Sequence, residues 1–435
     1  MRAIGERLAG AGHRAWLVGG CVRDALRGRA PRDWDILTSA GESDLERLFP
    51  RVRRVNERFV TVLVGVAPGA PVRQVSLLEG RTLEADLARR DFTVNAIAID
   101  PVDGHVIDPF DGQGDLARRV LRAVGSASER FAEDGLRALR AARFVASLDL
   151  ELDAATAAAI RPALDTYRKV SAERVRDEWI KTLKAQRPSR AFDVMREHGL
   201  LETSAPELVP QYGCAQNRYH RYDVWGHAMM CVDAAVGDPI LRLSALLHDV
   251  GKPATRAHSD KTNDYTFYDH ERVGAEMVDP LLARLRFSTA ERERVTHLVR
   301  HHLVCYEPGW SNAAVRRWIQ RIGRDRLADM YALNEADIRA KDVDAPPELE
   351  PLIELRARVD EILARGEALH VRDLAIGGHE LMDRLGMAPG PRLGMMLERL
   401  LEEVLEDPGK NVVERLLTRA AEILPELPET KPKRP

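Results

Sequence analysis

The chain has 435 residues, too many for one ordinary hydrophobic core, so two to four domains are expected. Aromatic residues make up 5% of the sequence and charged residues 31%, which argues against an all-β protein and favours a helix-rich one. The formal net charge is only −3, so the total charge does not indicate a nucleic-acid-binding protein, although arginines cluster locally along the sequence.

The cysteine and hydrophobic patterns both favour a cytoplasmic protein. The four cysteines have no CxxC spacing, which fits reduced thiols better than a zinc ribbon or a disulfide framework. No stretch approaches the ~20 apolar residues of a membrane span, so we expect no membrane partner.

The first 125 residues alternate short apolar runs with helical spacing, which predicts a small α/β sheet with a cleft along one face. The last of the predicted strands is apolar and contains Asn95. The predicted helices lie near 21–27 and 42–49, and the predicted strands at 16–18, 34–37, 59–66, 72–77 and 94–99.

Gly19 and Gly20 form a tight turn between the first strand and the first helix. A bare glycine backbone can approach phosphate oxygens closely, and the following helix N-terminus adds a positive dipole end. Arg23 can supply a further charge. We therefore expect this turn to bind phosphate.

Asp33 and Asp35 flank Trp34 on the second strand, so period-two alternation directs both carboxylates to one face. Two carboxylates on one face repel each other unless a divalent cation lies between them, and Mg²⁺ is typically held by such groups plus substrate phosphates. The plain alternative is a pair of solvated edge-strand aspartates. The upstream glycine turn favours the Mg²⁺ site.

Arg89, Arg90 and Asp91 stand at the boundary between a polar helical stretch and the strand at 94–99. A guanidinium there can reach the phosphates or ribose of a nucleotide through several planar donors. Asp91 and Asn95 either contact the same ligand or cap the turn.

From 126 to 215 the apolar spacing is helical, and Asp134 and Arg137, three residues apart, are expected to share one helix face. A pair at this spacing is usually a surface ion pair. Arg140 and Arg143 continue along the same helix.

A second block of ligand-type residues follows, on predicted helices. Imidazoles and carboxylates from several helices can converge on a divalent metal and support attack on phosphate esters. The candidate ligands are His227, His248, Asp249, His270, His302 and Asp337.

The last part of the chain is predicted to contain amphipathic helices at 350–365 and 395–405. The final stretch, 422–435, is rich in proline and charge and is expected to be disordered.

Five motifs occur in one order that resembles class II tRNA nucleotidyltransferases and bacterial poly(A) polymerases. They are GGxVRD with DWD at 19–35, RRDFTxNA at 89–96, DPFDGQGDLARRVL at 108–121, EDxxR at 133–137 and ERxxxE at 173–178. HDVGKP at 248–253 resembles the HD phosphohydrolase superfamily.

The resemblance implies an α+β fold, a small mixed-sheet nucleotidyltransferase head followed by an all-α neck, body, HD domain and tail. The expected domains are the head at 1–125, the nucleotide-selecting neck at 126–215, the HD domain at 216–345 and a tRNA-binding tail at 346–435.

It also implies Mg²⁺-dependent, template-free extension of a tRNA 3′ end from CTP, with ATP as a second substrate. Arg90, Asp91 and Asn95 would face the nucleotide, and Asp134 with Arg137 would read the base. Arg140 and Arg143 are further nucleotide-binding candidates. The HD block would bind Ni, Mn or Co and cleave 2′,3′-cyclic or terminal phosphates. The oligomeric state stays open.

Three departures from the family pattern bear on activity. Gln74 stands where the family usually has a third acidic residue, and the loop at 78–88 is short. The resembled enzymes that add only two cytidines tend to lack this loop, which favours CC addition over full CCA addition. Gly135 replaces a common proline and is expected to loosen the selector helix.

Two other readings remain open. A poly(A) polymerase is disfavoured by the absence of a strongly basic tail. An HD phosphohydrolase or RNA-binding protein with an inactive polymerase head is suggested by Gln74 and the short loop.

Overall fold

The computed structural model describes residues 1–31, 33–56, 61–65, 72–78, 81–341 and 348–428. The strands are β1 Ala15–Val18, β2 Asp35–Thr38, β3 Arg51–Asn56, β4 Thr61–Gly65, β5 Arg73–Leu77, β6 Ala98–Ile99, β7 Val106–Ile107, β8 Val120–Leu121, β9 Glu151–Leu152, β10 Ala257–Ser259 and β11 Asp264–Thr266.

The helices in the first half of the chain are α1 Arg2–Gly10, α2 Gly20–Leu26, α3 Glu42–Leu48, α4 Leu83–Ala88, α5 Gly112–Arg118, α6 Ala127–Glu133, α7 Leu136–Leu148, α8 Ala154–Ala158, α9 Leu164–Tyr167, α10 Ala172–Thr182, α11 Ser189–Glu197 and α12 Leu200–Ser204. Those in the second half are α13 Val224–Ala234, α14 Pro239–Leu247, α15 Lys252–Thr255, α16 His270–Arg284, α17 Thr289–His301, α18 Asn312–Ile322, α19 Leu327–Ala340, α20 Glu350–Ala364, α21 Gly378–Leu385, α22 Pro391–Glu406 and α23 Val413–Ile423.

The head contains a seven-stranded mixed sheet in the order β3-β4-β5-β2-β1-β6-β7. Strand β2 runs antiparallel to β1 and parallel to β5, and its first residue, Asp35, is in register with Gln74. The acidic strand therefore lies near the middle of the sheet, with β1 and the glycine turn on one side and Gln74 on the other.

Each face of this sheet is covered by apolar side chains, because alternate residues of a strand point to opposite faces. Trp34 and Ile36 pack on the face that also buries residues of α1, α2 and α3. Leu37 packs on the other face, against Leu83 and Leu87 of α4. On β2, Asp35 and Leu37 alternate with Ile36, so the predicted separation of Asp35 from Ile36 is observed, whereas Asp33 precedes the strand.

The predicted strands agree with the structure except at 94–99. Thr93–Asn95 forms a 3₁₀ turn instead, and only Ala98–Ile99 is extended. The turn is held because Asn95 Nδ2 donates to Asp91 Oδ1 at 3.0 Å and the Asn95 N–H donates to Phe92 O. Strand β3, with its charged sequence RVRRVN, was missed because an edge strand needs little apolar content. Of the strand predicted at 59–66, residues 59, 60 and 66 lie outside the described residues.

The chain divides into two compact units, one of residues 1–209 and 281–287 and the other of 210–280 and 288–435. In the first unit, α7 packs against α10 and α11 beyond the sheet. The four predicted domains are a finer division and stay a prediction.

In the second unit, α13 packs against α14 and α19, and α14 packs against α17. Its C-terminal helices share one apolar core, and Arg316 of α18 ties α22 into it. The Arg316 guanidinium donates to the carbonyls of Leu405 and Glu406 and pairs with Glu367. These bonds satisfy carbonyls at a helix end that have no partner within the helix.

The α+β class is confirmed, with two short two-stranded ladders, β8-β9 and β10-β11, added to the helical part. The helices predicted at 350–365 and 395–405 correspond to α20 and α22. The disorder predicted for 422–435 is wrong at its start, because Glu422 and Ile423 end α23 and Leu424–Glu426 forms a 3₁₀ turn. Residues 429–435 lie outside the described residues. Across the described residues, no helix combines the length and apolar character that a bilayer crossing requires.

Candidate functional site

The glycine turn and the acidic strand meet in the head. Gly19 has φ of +76°, a conformation that L side chains rarely adopt. A Cβ built on Gly19 would lie 2.9 Å from Nη1 of Arg90 and 4.0 Å from Oδ2 of Asp35. The turn, the acid and the arginine therefore share one small space, and glycine leaves it open.

Asp33 is exposed and Asp35 is partly buried. Burial raises the pKa of Asp35, Arg90 opposes this shift, and the nearby Asp33 carboxylate adds to it. Among the described residues, no cation lies within ion-pair distance of either carboxylate. Two adjacent acids without such a partner fit a divalent cation, which carboxylates bind readily.

Arg90 is held at this place by its own contacts. Its guanidinium donates to Asp86 Oδ2 at 3.1 Å and to the carbonyl of Asn95 at 3.3 Å. Gln74 occupies the position beside Asp35 on β5 and is exposed. The side chain at this position is an amide, so the site carries two acids rather than three. The loop predicted at 78–88 is wrong in its second half, because Leu83–Ala88 forms α4, and residues 79 and 80 lie outside the described residues.

A chain of polar contacts runs from the glycine turn to helix α10. Arg23 Nη1 donates to Asn95 Oδ1 at 2.6 Å, and Asn95 donates in turn to Asp91. Asp91 accepts two bonds from Arg140, the shorter at 2.7 Å. Arg140 lies 3.6 Å from Glu178. Asp91 and Asn95 thus act as turn caps, and Arg23 is linked to the helical part.

Burial changes the pKa values of the charged residues in this series of polar contacts. Burial opposes ionisation of Asp91, yet Arg140 and the Asn95 hydrogen bond hold the pKa of its carboxyl below the usual range. Burial also disfavours the charge of Arg140, but Asp91 and Glu178 outweigh it and raise its pKa. A paired buried charge of this kind is strongly destabilising to break.

Arg143 contacts Glu178 and Phe144 and is not part of the series of contacts that begins at the glycine turn. Its Nε donates to Glu178 Oε2 at 2.5 Å, and its guanidinium lies 3.9 Å from the centre of the Phe144 ring. Glu178 is 1% exposed and also accepts from Lys181. The ERxxxE motif therefore supplies the buried acid that orders Arg140 and Arg143.

The prediction that Asp134 and Arg137 share a helix face is wrong. Asp134 is extended, with φ of −151°, and separates α6 from α7, while Arg137 lies in the first turn of α7. Arg137 donates to Glu133, to the carbonyl of Arg130 and to the carbonyl of Arg89. Both side chains still lie at the start of α7.

Gly135, between these two residues, does not loosen the helix start. A Cβ there would lie 2.5 Å from the carbonyl carbon of Thr166 and 2.6 Å from its oxygen. The backbone at Thr166 and Tyr167 therefore packs directly on the glycine. Its backbone is ordinary right-handed helix, so the requirement is for space rather than for a special φ.

The second cluster brings all six predicted HD residues together. His227 Nε2 lies 2.9 Å from Asp337 and 3.3 Å from His248 Nε2, and His270 Nε2 lies 3.2 Å from His302 Nε2. Asp249 lies within 3.6 Å of all four imidazoles. Two overlapping triads, His227-His248-Asp337 and His248-Asp249-His302, have metal-ligand spacing.

The imidazoles are oriented by backbone carbonyls. Nδ1 of His248, His270 and His302 each lies 2.7 Å from the carbonyl oxygen three residues earlier. A carbonyl can only accept, so Nδ1 carries the proton and Nε2 presents its lone pair to the centre. The buried Asp249 carboxylate lies among these imidazoles, with Oδ2 3.1 Å from His248 Nε2 and Oδ1 3.3 Å from His270 Nε2. Donors of this kind fit a divalent metal.

Two basic residues and several rings complete this cluster. Lys252 Nζ lies 2.6 Å from Asp249 Oδ2 and donates to Gln216. A cavity of about 480 Å³ opens above the cluster and is lined by His220, Lys252, Lys341, Tyr265 and Tyr268, among others. His220 was missed because it precedes α13 with no periodic signal, whereas Lys252 stands inside HDVGKP.

The fold and the two sites define a nucleotidyltransferase with an appended HD domain. The family model for the poly A polymerase head domain matches residues 15–122. The model described as the probable RNA and SrmB-binding site of polymerase A matches 149–211, and the HD domain model matches 219–345. These domains imply the use of divalent metal ions.

The chain belongs to the tRNA nucleotidyltransferase family. It is 35% identical over 406 residues to an A-adding tRNA nucleotidyltransferase of Deinococcus radiodurans, covering 89% of this chain and 91% of the relative. It is 34% identical over 416 residues to a CC-adding tRNA nucleotidyltransferase of Thermus thermophilus, with 90% of each covered. A CCA-adding enzyme of Streptococcus pyogenes is 30% identical over 421 residues, with 91% of this chain and 90% of the relative covered.

A solved structure agrees with this assignment. The CCA-adding enzyme of Bacillus stearothermophilus, solved in complex with CTP, matches with a TM-score of 0.70 and 27% identity, covering 96% of this chain and 95% of that one. The resemblance inferred from the five motifs is confirmed.

Proposed function

We propose that this enzyme adds cytidine, and in the leading version two cytidines, to the 3′ end of tRNA from CTP without a template. The observation that carries the proposal is the meeting of Gly19, Asp35 and Arg90 in one space. The glycine turn would receive the triphosphate, and Arg90 and Arg23 would balance its charge. Mg²⁺, held by Asp33 and Asp35, would supply charge neutralisation and activate the terminal 3′-hydroxyl.

Base selection would belong to Asp134 and Arg137. An ionised carboxylate accepts from the exocyclic amino group that cytosine and adenine share, and a guanidinium donates to a ring acceptor. The relatives include A-adding, CC-adding and CCA-adding enzymes at similar identity, so overall similarity does not choose among these products. The short connection from β5 to α4 supports CC addition.

Incubation with tRNA substrates tests the proposal. The substrates lack the whole terminal triplet, its last two nucleotides or its last one, and each is offered labelled CTP or ATP with Mg²⁺. Two C residues added to the shortest substrate and no A added to any substrate support CC addition. Addition of A alone, or of the full triplet, would replace it with one of the other products. A long A tract on any RNA would indicate a poly(A) polymerase.

An inactive head is the remaining alternative. Asp35→Asn serves as the matched control, because it removes the negative charge of the side chain and keeps its size and shape. Incorporation that is unchanged in Asp35→Asn, or absent from the wild-type enzyme, would contradict the head mechanism.

We also propose that the HD cluster hydrolyses phosphate esters, with 2′,3′-cyclic or terminal nucleotide phosphates as substrates. A Ni, Mn or Co ion bound by the cluster would supply the nucleophile. Lys252 and Lys341 at the cavity would bind the phosphate, and Tyr265 and Tyr268 would stack on a base. A cytoplasmic location belongs to the same proposal.

The two activities can be separated by substitution. His248→Ala and Asp249→Asn should abolish metal-dependent cleavage of 2′,3′-cyclic AMP and leave nucleotide addition intact. Cleavage that survives both substitutions would exclude the cluster as its site, and loss of both activities would indicate a folding role.

A further inference from the structure

The base-selecting acid has a partner that the EDxxR motif does not contain. Asp134 Oδ2 accepts from Nη2 of Arg174 at 2.6 Å, and Oδ1 lies 3.3 Å from Nη1 of the same guanidinium. The Leu136 N–H donates to Oδ1 at 3.1 Å. Arg174 belongs to α10, forty residues further along the chain. Its side chain is half exposed, and that of Asp134 is one-third exposed.

These contacts fix the orientation of the carboxylate. Two guanidinium nitrogens and one backbone N–H hold both oxygens, so the carboxyl plane cannot turn freely. A carboxylate has about four acceptor positions, and the three bonds leave one for a ligand. Arg137, by contrast, is committed to Glu133 and two backbone carbonyls.

The same contacts keep Asp134 ionised. Burial raises its pKa, but the hydrogen bond from Arg174, the Leu136 N–H and the charge of Arg174 bring the pKa below the ordinary value. The other charged groups that face it are Arg137, Arg140 and the neighbouring Glu133. None of these donates a hydrogen bond to the carboxylate.

Protonation of Asp134 would change which bases it can form a hydrogen bond with. The ionised form can only accept, which suits the amino group of cytosine or adenine. The protonated form can donate, which suits the carbonyl of uracil or guanine at the corresponding position. A group that holds the acid ionised and oriented therefore excludes two of the four nucleotides.

We propose that Arg174 is a specificity-determining positioning residue, which holds Asp134 as an acceptor-only group so that the site rejects UTP and GTP. This inference rests on the proposed nucleotide addition and on the assignment of Asp134 to base reading. The proposal assigns Arg174, the arginine of the ERxxxE motif, a role in nucleotide selection.

Incorporation of each of the four nucleotides into the shortened tRNA tests the proposal. Arg174→Ala should reduce the ratio of kcat/KM for CTP to that for UTP by about tenfold or more, since one charged hydrogen bond is lost. Arg174→Lys should recover part of the ratio, because it restores charge without the two-nitrogen contact.

Two controls make the result decisive. Arg2→Ala removes an exposed arginine of α1, which pairs with Glu6 on the same helix, and should leave the ratio unchanged. Thermal unfolding of each variant monitors the fold. An Arg174→Ala ratio that equals the wild-type ratio overturns the inference, as does an equal loss for all four nucleotides. Failure of the wild-type enzyme to incorporate any nucleotide would contradict the proposed function instead.

Discussion

Asp35 and Gln74 lie directly opposite each other on adjacent parallel strands, at the open end of the sheet where the glycine turn begins. The neighbour of this partly buried acid is therefore a neutral amide. Asp33, just before β2, and Asp35 are the two acids of the candidate site, and a site with two charges binds a divalent cation less tightly than one with three.

The first prediction concerns this amide. Gln74→Glu should lower the Mg²⁺ concentration needed for half-maximal nucleotide addition by about threefold to tenfold, because it adds a third negative charge beside Asp35. A titration of the incorporation rate against Mg²⁺ measures the change. Gln74→Ala removes the amide without adding charge and should leave the Mg²⁺ requirement near that of the wild type. A requirement that rises in Gln74→Glu would show that the amide itself contributes to the site.

The second prediction concerns Gly135. Gly135→Ala should lower the stability by about 1–3 kcal/mol and reduce nucleotide addition, because its Cβ would overlap the backbone at Thr166. Thermal unfolding and the incorporation rate measure the two effects. Gly125→Ala is unsuitable as a control because of its positive φ, whereas Gly10→Ala has open space around it and should be neutral or slightly stabilising. Equal behaviour of the two variants would contradict the close packing.

The third prediction concerns the buried pair of Asp91 and Arg140. Asp91→Asn should lower the free energy of unfolding by about 3 kcal/mol at neutral pH, because it leaves Arg140 without its main partner. The folded pKa of Asp91 is depressed, so its contribution is fully present above its unfolded pKa of about 3.9 and is lost as pH falls through the lower folded value.

The free energies of unfolding of the wild type and of Asp91→Asn, measured over a series of pH values, test the predicted direction of this pH dependence. The difference between them should be constant above about pH 5 and shrink toward more acidic pH. Asp165→Asn, whose side chain is 86% exposed and pairs with Arg168, should change stability by less than about 0.5 kcal/mol. A difference that grows with acid would contradict the assignment of the buried pair.

The fourth prediction concerns removal of metal from the HD cluster. Asp249 and Asp337 lie among four imidazoles, and a cation there relieves the cost of burying their charge. A chelator should therefore lower the melting temperature of the wild-type enzyme by several degrees, and added Ni, Mn or Co should restore it.

The matched variant for this test is His248→Ala, which removes one ligand and should respond much less to the chelator. His258→Ala removes a histidine of β10 that pairs with the exposed Asp260 and should respond like the wild type. An equal response of His248→Ala and the wild type would place the metal effect elsewhere.

The sequence by itself determined the family and supplied the candidate site residues. Candidates such as Gly19, Asp35 and His248 could be selected from the sequence, because a phosphate-binding turn favours glycine and divalent metals favour carboxylate and imidazole ligands. Their spacing also gave the strand-turn-helix at 16–26, since both periodicities are local. The edge strand β3 was not predicted because its charged sequence has little apolar content, and the turn at Thr93–Asn95 was not predicted because the capping bonds of Asn95 override the apolar pattern of a strand.

Only the tertiary structure decided which groups act on one another. Asp134 meets Arg174 forty residues away, Arg140 meets Asp91 across forty-nine, and Gly135 packs on a backbone segment that no motif marks. Such partners depend on how helices pack, and a single chain's periodicity reports which face is buried but not what covers it. The residue types were therefore readable from the sequence, whereas their pairing, their protonation and the space around them required the fold.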